Sequence, residues 1–210
     1  MIYKLKEERD GFIEGVYKDS MGDLNSFFGI KWTFSKPNLV IVENRKEIDK
    51  LKNMKTERWV VGWSENKTIY ILDRNNFEKE SSHKYITEEY IALIKHEMSH
   101  AFFSVLSNCI QRPIWFNEGV AIYTSGQNKF KRPILKFEKF LDFYENGGKE
   151  VYSESGFAVE LLVKKFGKKK LLNLISKLDT AGNKADFSKL FKKIYGFSPT
   201  YKEFNFLLKK

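Results

Sequence analysis

The sequence predicts an α+β fold, with a small antiparallel or mixed sheet set against a helical remainder. Three observations predict it. Apolar, β-branched runs of about five residues are confined to positions 38–72. From position 87 onward apolar residues recur at spacings of three and four, the period of a helix. No internal repeat, low-complexity stretch or obvious linker interrupts the 210 residues. Residues 1–128, holding the sheet and the first helices, and a helical part over 129–210 are therefore expected to form one compact unit.

In chain order, Met21, Leu24, Phe27 and Phe28 predict a short helix that stops at Gly29. NLVIV, Asn38–Val42, has the composition of a buried strand. Asn44 followed by Glu47 predicts a cap and capping box for a helix through about Lys52. WVVGW at 59–63 and TIYIL at 68–72 flank polar residues 64–67, which predicts a β-hairpin. After a loop with Ser81, Ser82 and His83, Thr87 is placed to cap a helix opening with Glu88 and Glu89. Ile91, Ile94, Met98, Ala101 and Val105 give that helix one apolar stripe, to about Leu106. Pro113 opens a second helical stretch over 114–123. Further helical pieces are expected near 136–144, 155–166, 169–177, 187–194 and 200–208.

Composition narrows the function. Hydrophobic residues are 42% and aromatics 16%, with 19 Phe and 10 Tyr, which fills a core and excludes disorder as the main state. No apolar run approaches the roughly 18–20 residues of a membrane span. MIYKLKEERDGF carries charges where a secretory signal needs an apolar stretch. The single cysteine, Cys109, excludes an internal disulfide and a cysteine-rich metal site, and is expected to be a small buried filler. A reducing, cytoplasmic compartment is the expectation. The net charge of +10 is uneven: residues 1–128 carry 18 Lys/Arg against 18 Asp/Glu, and residues 129–210 carry 19 against 9. Lys164, Lys165, Lys168, Lys169, Lys170, Lys192 and Lys193 sit beside leucines and phenylalanines at helical spacing. That is the pattern of solvated helix faces, so nucleic acid is not the expected partner.

Two of the three histidines are His96 and His100, in HEMSH. Four residues is about one helical turn, so both imidazoles leave the helix on one side and can share one zinc ion. Glu97 is close enough to handle a water on that metal without ligating it. A catalytic zinc site needs a third protein ligand and one open position. Phe103 and Leu106 occupy the places where a third histidine of the metzincin spacing would stand, and His83 lies in an upstream polar loop. Glu118 fits better: it is a lone carboxylate among Trp115, Phe116, Val120, Ala121 and Ile122, costly to bury unless paired or metal-bound. Gly119 beside it predicts a close approach of two helix backbones.

HEMSHAF followed by PIWFNEGVAIY resembles the gluzincin metallopeptidases, specifically their thermolysin-like, peptidase MA-like domains. KPNLVIVENRKEID and VVGWSENKTIYIL resemble the strands before their zinc helix. YSESGFAVELLVKKFG and IYGFSPTYKEF resemble their C-terminal helices, so the likeness covers about residues 32–208. The resemblance implies zinc held by His96, His100 and Glu118. It implies peptide-bond hydrolysis by a metal-bound water with Glu97 as general base, on a peptide or protein substrate. It also implies a hydroxyl donor to the developing oxyanion, and Tyr152 stands where the family places its tyrosine. The sequence departs at Ile122, where such sites carry an acid that holds a ligand histidine; Asn117 or a backbone carbonyl is left to do so. GWSEN resembles the aminopeptidase motif Gly-x-Met-Glu-Asn, but Ser64 replaces the Met and Glu65 falls in the expected turn. The substrate is expected to add as a strand along an edge of the hairpin, 59–63 or 68–72. The rival readings are a non-enzymatic zinc-binding domain and a basic nucleic-acid-binding module over 129–210.

Overall fold

The computed structural model describes residues 9–209. Among them, three strands form one mixed sheet: β1 (Asn38–Val42), β2 (Gly62–Glu65) and β3 (Thr68–Leu72), in the order β1-β3-β2. β1 runs parallel to β3, with Asn38 opposite Thr68 and Val42 opposite Leu72, while β2 is antiparallel to it. The buried strand is β3, where Ile69, Ile71 and Leu72 are fully covered. β1, expected to be buried, is an edge strand whose Ile41 stays 40% exposed. The hairpin turn is shorter than expected. Asn66 and Lys67 alone turn the chain, at φ 48° and 61°, the conformation whose twist matches the flanking strands. Ser64 and Glu65 are thereby drawn into the ladder opposite Ile69 and Thr68.

Helix α1 (Gly11–Phe28) is ten residues longer than its sequence signal. Asp10 caps it by accepting from Phe12 and Ile13 N–H, and Gly29 ends it in the left-handed region at φ 69°. Its first half escapes a pattern reading because Gly11, Gly15 and Gly22 dilute the stripe of Ile13, Val16, Met21 and Leu24. α2 (Arg45–Lys52) begins as predicted, Asn44 accepting from Glu47 N–H at 3.1 Å, although the Glu47 side chain pairs forward with Lys50. A short turn, α3 (Phe77–Glu80), precedes α4 (Thr87–Leu106). Thr87 is the first helical residue and not the cap; Ile86 holds that place without a side-chain bond. α5 (Ile114–Ser125) stops at Gly126, φ 76°. α6 (Val151–Phe166) starts four residues before its predicted beginning and so includes Tyr152. α7 (Lys168–Ile175), α8 (Lys184–Tyr195) and α9 (Tyr201–Lys209) complete the chain.

The helix expected over 136–144 is absent, apart from one 3-10 turn at Phe140–Asp142. Tertiary partners take the N–H groups that a helix would use. Glu154 on α6 accepts from Glu138, Lys139 and Phe140, Asn205 accepts from Phe137, and the Tyr201 hydroxyl accepts from Leu141. Phe137 and Phe140 are buried with Trp115 and Phe204, ring centroids 4.9–6.2 Å apart. The core is continuous from Ile13 to Phe204, so residues 1–128 and 129–210 share it. Cys109 lies exposed in the turn after α4 at φ 65°, not buried as expected. Among the described residues no helix is long and apolar enough to cross a membrane.

Candidate metal centre

α4 and α5 bring three side chains to one point. His96 and His100, one turn apart on α4, have their Nε2 atoms 3.1 Å apart. Glu118, from the first half of α5, places Oε2 3.3 Å from His96 Nε2 and 3.6 Å from His100 Nε2. This trio could hold a metal ion. Glu118 Oε2 is buried without a hydrogen bond among the described residues. Lone-pair atoms crowded together in a dry place repel unless a cation or a shared proton lies between them.

The helices are locked at this spacing. The Thr124 hydroxyl on α5 donates to Ser99 Oγ on α4 at 2.8 Å. On the other side α5 rests on α6 with the close approach that Gly119 predicts: a Cβ there would lie 2.6 Å from Ser155 O. Gly156 answers it from α6, where a Cβ would fall 2.3 Å from Ile122 Cγ2. Ile122 thus fills the helix interface and serves no histidine. Asn117 does: His100 Nδ1–H donates to Asn117 Oδ1 at 2.9 Å, which leaves the Nε2 lone pair facing the trio. His96 Nδ1, by contrast, is buried without a partner among the described residues.

Burial dominates the electrostatics. It pushes Glu97 up, against the pull of His96 and His100. It also opposes ionisation of Glu118, but His100, His96 and Lys131 together outweigh it and hold that carboxyl below its ordinary value. Burial works against a charged His96, yet Glu118 and Glu97 carry the net shift upward. Burial and the nearby carboxylates Glu118 and Glu97 raise the Tyr152 phenol far above its usual range.

A cleft of about 380 Å³ reaches the trio at His96, which lines it together with Glu97. Trp59 to Gly62, leading into β2, also line it, as do Lys131 and Tyr152. The Tyr152 ring lies 6.3 Å from the His96 ring and 6.2 Å from that of Trp59. His83 is exposed at the rim, its Nε2 3.1 Å from Trp59 O, and Glu65 is exposed at the end of β2, away from the cleft lining.

Two residues escaped the sequence reading. Gly62 lets Glu97 lie against β2: a Cβ there would sit 3.2 Å from Glu97 Cγ and 3.3 Å from Glu97 Oε1. A glycine inside a strand was its available signal. Lys131 had none, because it stands in KFKRP among other cations. Its Nζ donates to Tyr152 O at 2.6 Å, and burial, partly offset by Glu118, pushes it down to about 8. Comparison with known protein families, curated proteins and solved structures gives no match.

Proposed function

We infer that the protein is a zinc-dependent peptidase of the gluzincin kind. The observation that carries this reading is the convergence of His96, His100 and Glu118 beside a cleft that also holds Glu97. A tetrahedral ion with bonds of about 2.0–2.2 Å spaces its ligand atoms about 3.3–3.6 Å apart. The separations here are 3.1, 3.3 and 3.6 Å. Two imidazoles and one carboxylate are also a donor set that catalytic zinc takes with one position left open.

Zinc bound there supplies Lewis acidity, polarising a carbonyl and acidifying water. The remaining work falls to the chain. Glu97, buried and raised above the ordinary carboxylate value, would accept a proton from that water and deliver it to the leaving amine nitrogen. Tyr152, its phenol kept protonated, donates to the carbonyl oxygen as negative charge develops there. A peptide adds as a further strand along β2 by main-chain hydrogen bonds. Of the two hairpin strands expected to serve, only β2 has a free edge, since β3 is bonded on both sides. The missing side chain at Gly62 lets the Glu97 carboxylate lie against β2.

Glu97→Gln tests the reading. The amide keeps the size of the side chain but cannot take the proton, so peptide cleavage should fall about 10²–10⁴-fold with zinc content unchanged. An undiminished rate rejects the mechanism. A zinc-loaded wild type inert on broad peptide libraries favours the non-enzymatic zinc-binding domain.

A further inference from the structure

Lys131 stands out among the cleft residues because it is an under-used cation. Its Nζ has three donors and makes one hydrogen bond, to Tyr152 O. No carboxylate lies within ion-pair distance of it among the described residues. It is half-buried and lines the same cleft as His96 and Glu97. A desolvated ammonium with spare donors facing a cavity favours an anion there. The cleft shares the bias: Lys84 and Lys149 also line it, against only Glu89 and the inward-facing Glu97. A carboxylate is the anion that peptides carry, whether at the C-terminus or on an acidic side chain.

We propose that Lys131 is the carboxylate-recognising group of the cleft, selecting peptides that place a free C-terminus or an acidic side chain beside the bond at the metal trio. The bond to Tyr152 O anchors the ammonium at the first turn of α6. Val60, Val61 and Lys131 line the same cleft, so a peptide lying along β2 enters the space that Lys131 faces. The carboxylate replaces the water that the two spare N–H donors otherwise need. Lys131 acts on substrate choice and leaves the proton transfers to Glu97. The proposal rests on the peptidase reading for the identity of the ligand as a peptide.

The test is equilibrium binding, so that it does not depend on turnover. Zinc-loaded Glu97→Gln protein is titrated by calorimetry with N-acetylated tetrapeptides in four forms. These are a free C-terminal acid, its amide, and C-terminal amides with Glu or Gln next to the last residue. The free acid, the Glu peptide or both should bind at least about tenfold tighter than the matching amide, and which pair differs identifies the source of the carboxylate. In Glu97→Gln/Lys131→Met the preference should vanish, and in Glu97→Gln/Lys131→Arg it should persist. Equal binding of acids and amides overturns the proposal, as does a preference that survives Lys131→Met, or no binding of any peptide. The first comparison needs no change at Lys131, so a misfolded Met variant does not rescue the idea. Selective binding by the Glu97→Gln protein, together with an inert wild type, retires the peptidase reading and leaves the carboxylate subsite standing.

Discussion

Glu118, with a buried Oε2, and Glu154, buried whole, are carboxylates on neighbouring helices, and their charges are solvated in opposite ways. Glu154, on α6, accepts from three successive backbone N–H groups, of Glu138, Lys139 and Phe140, at 2.9–3.2 Å. Its charge is fully solvated by protein, and the reward is structural: it holds 138–140 out of a helix and against the aromatic core. Glu118, on α5, has Oε2 buried with no hydrogen bond among the described residues and two imidazole nitrogens in front of it. The fold leaves its solvation unfinished. Burial of charge alone therefore does not mark a functional site; what marks it is a charge that the protein has not completed with its own donors.

The contrast breaks most visibly by exchanging each acid for its amide. Glu154→Gln should destabilise the protein by about 2–4 kcal/mol, since charge-assisted bonds are lost and an NH₂ group is turned toward N–H donors. In a domain this size that is a fall of roughly 5–15 °C in melting temperature. Metal content should stay as in the wild type. Glu118→Gln should abolish stoichiometric zinc while lowering the melting temperature of the metal-free protein by less than Glu154→Gln does. Elemental analysis and thermal melts of both variants decide it, and an exchanged pattern sinks the distinction.

The first turn of α6 carries the same contrast within three residues, with Tyr152 turned to the cleft and Glu154 to the fold. The Tyr152 hydroxyl makes no hydrogen bond among the described residues. Tyr152→Phe should therefore change stability by less than about 1 kcal/mol. If the phenol donates to the oxyanion, kcat falls about 10²–10³-fold at near-constant KM. Unchanged kcat makes it a packing residue. A smaller effect separates the two histidines. Asn117→Ala frees the His100 ring and should weaken zinc binding about 10–100-fold in chelator competition, bringing His100 to the unpartnered condition of His96 Nδ1. Equal affinity would show that Asn117 merely fills space.

What was legible in the sequence was whatever a short window determines. HEMSH on an apolar helix fixes the side from which both imidazoles leave, and Gly119 announces a close helix contact before any partner is known. The two-residue turn is hidden because Ser64 and Glu65 are polar, although strand pairing needs only their backbones. The missing helix over 136–144 shows the other limit: its N–H groups go to Glu154, Asn205 and Tyr201, up to 68 residues away in the chain. The apolar letters of β1 are those of a central, buried strand; the parallel pairing that leaves it at the edge is a long-range choice. Lys131 was invisible for the same reason, since its neighbours in space come from α5 and α6 and not from KFKRP.

Lys131 is the cationic counterpart of Glu118, and its titration gives the last and smallest test. Burial lowers it to about 8 in the folded protein, against about 10.4 in an unfolded chain. Below pH 8 both states hold the proton, and the folded state bears the full cost of a poorly solvated charge. Between pH 8 and about 10.4 the folded state releases the proton first, so the unfolded state binds more protons and stability from this group rises with pH. Above that range the cost has gone. Lys131→Met should then stabilise the metal-free protein at pH 7 by roughly 1–3 kcal/mol, after subtracting about 1 kcal/mol for the lost bond to Tyr152 O. The advantage should shrink steadily from pH 8 and disappear, or reverse by that 1 kcal/mol, near pH 10.5. Urea unfolding of both proteins at pH 7, 9 and 10.5 measures the difference directly. A Met variant that is less stable at every pH by the same amount would place Lys131 with Glu154, a charge whose solvation the fold has completed, rather than with Glu118.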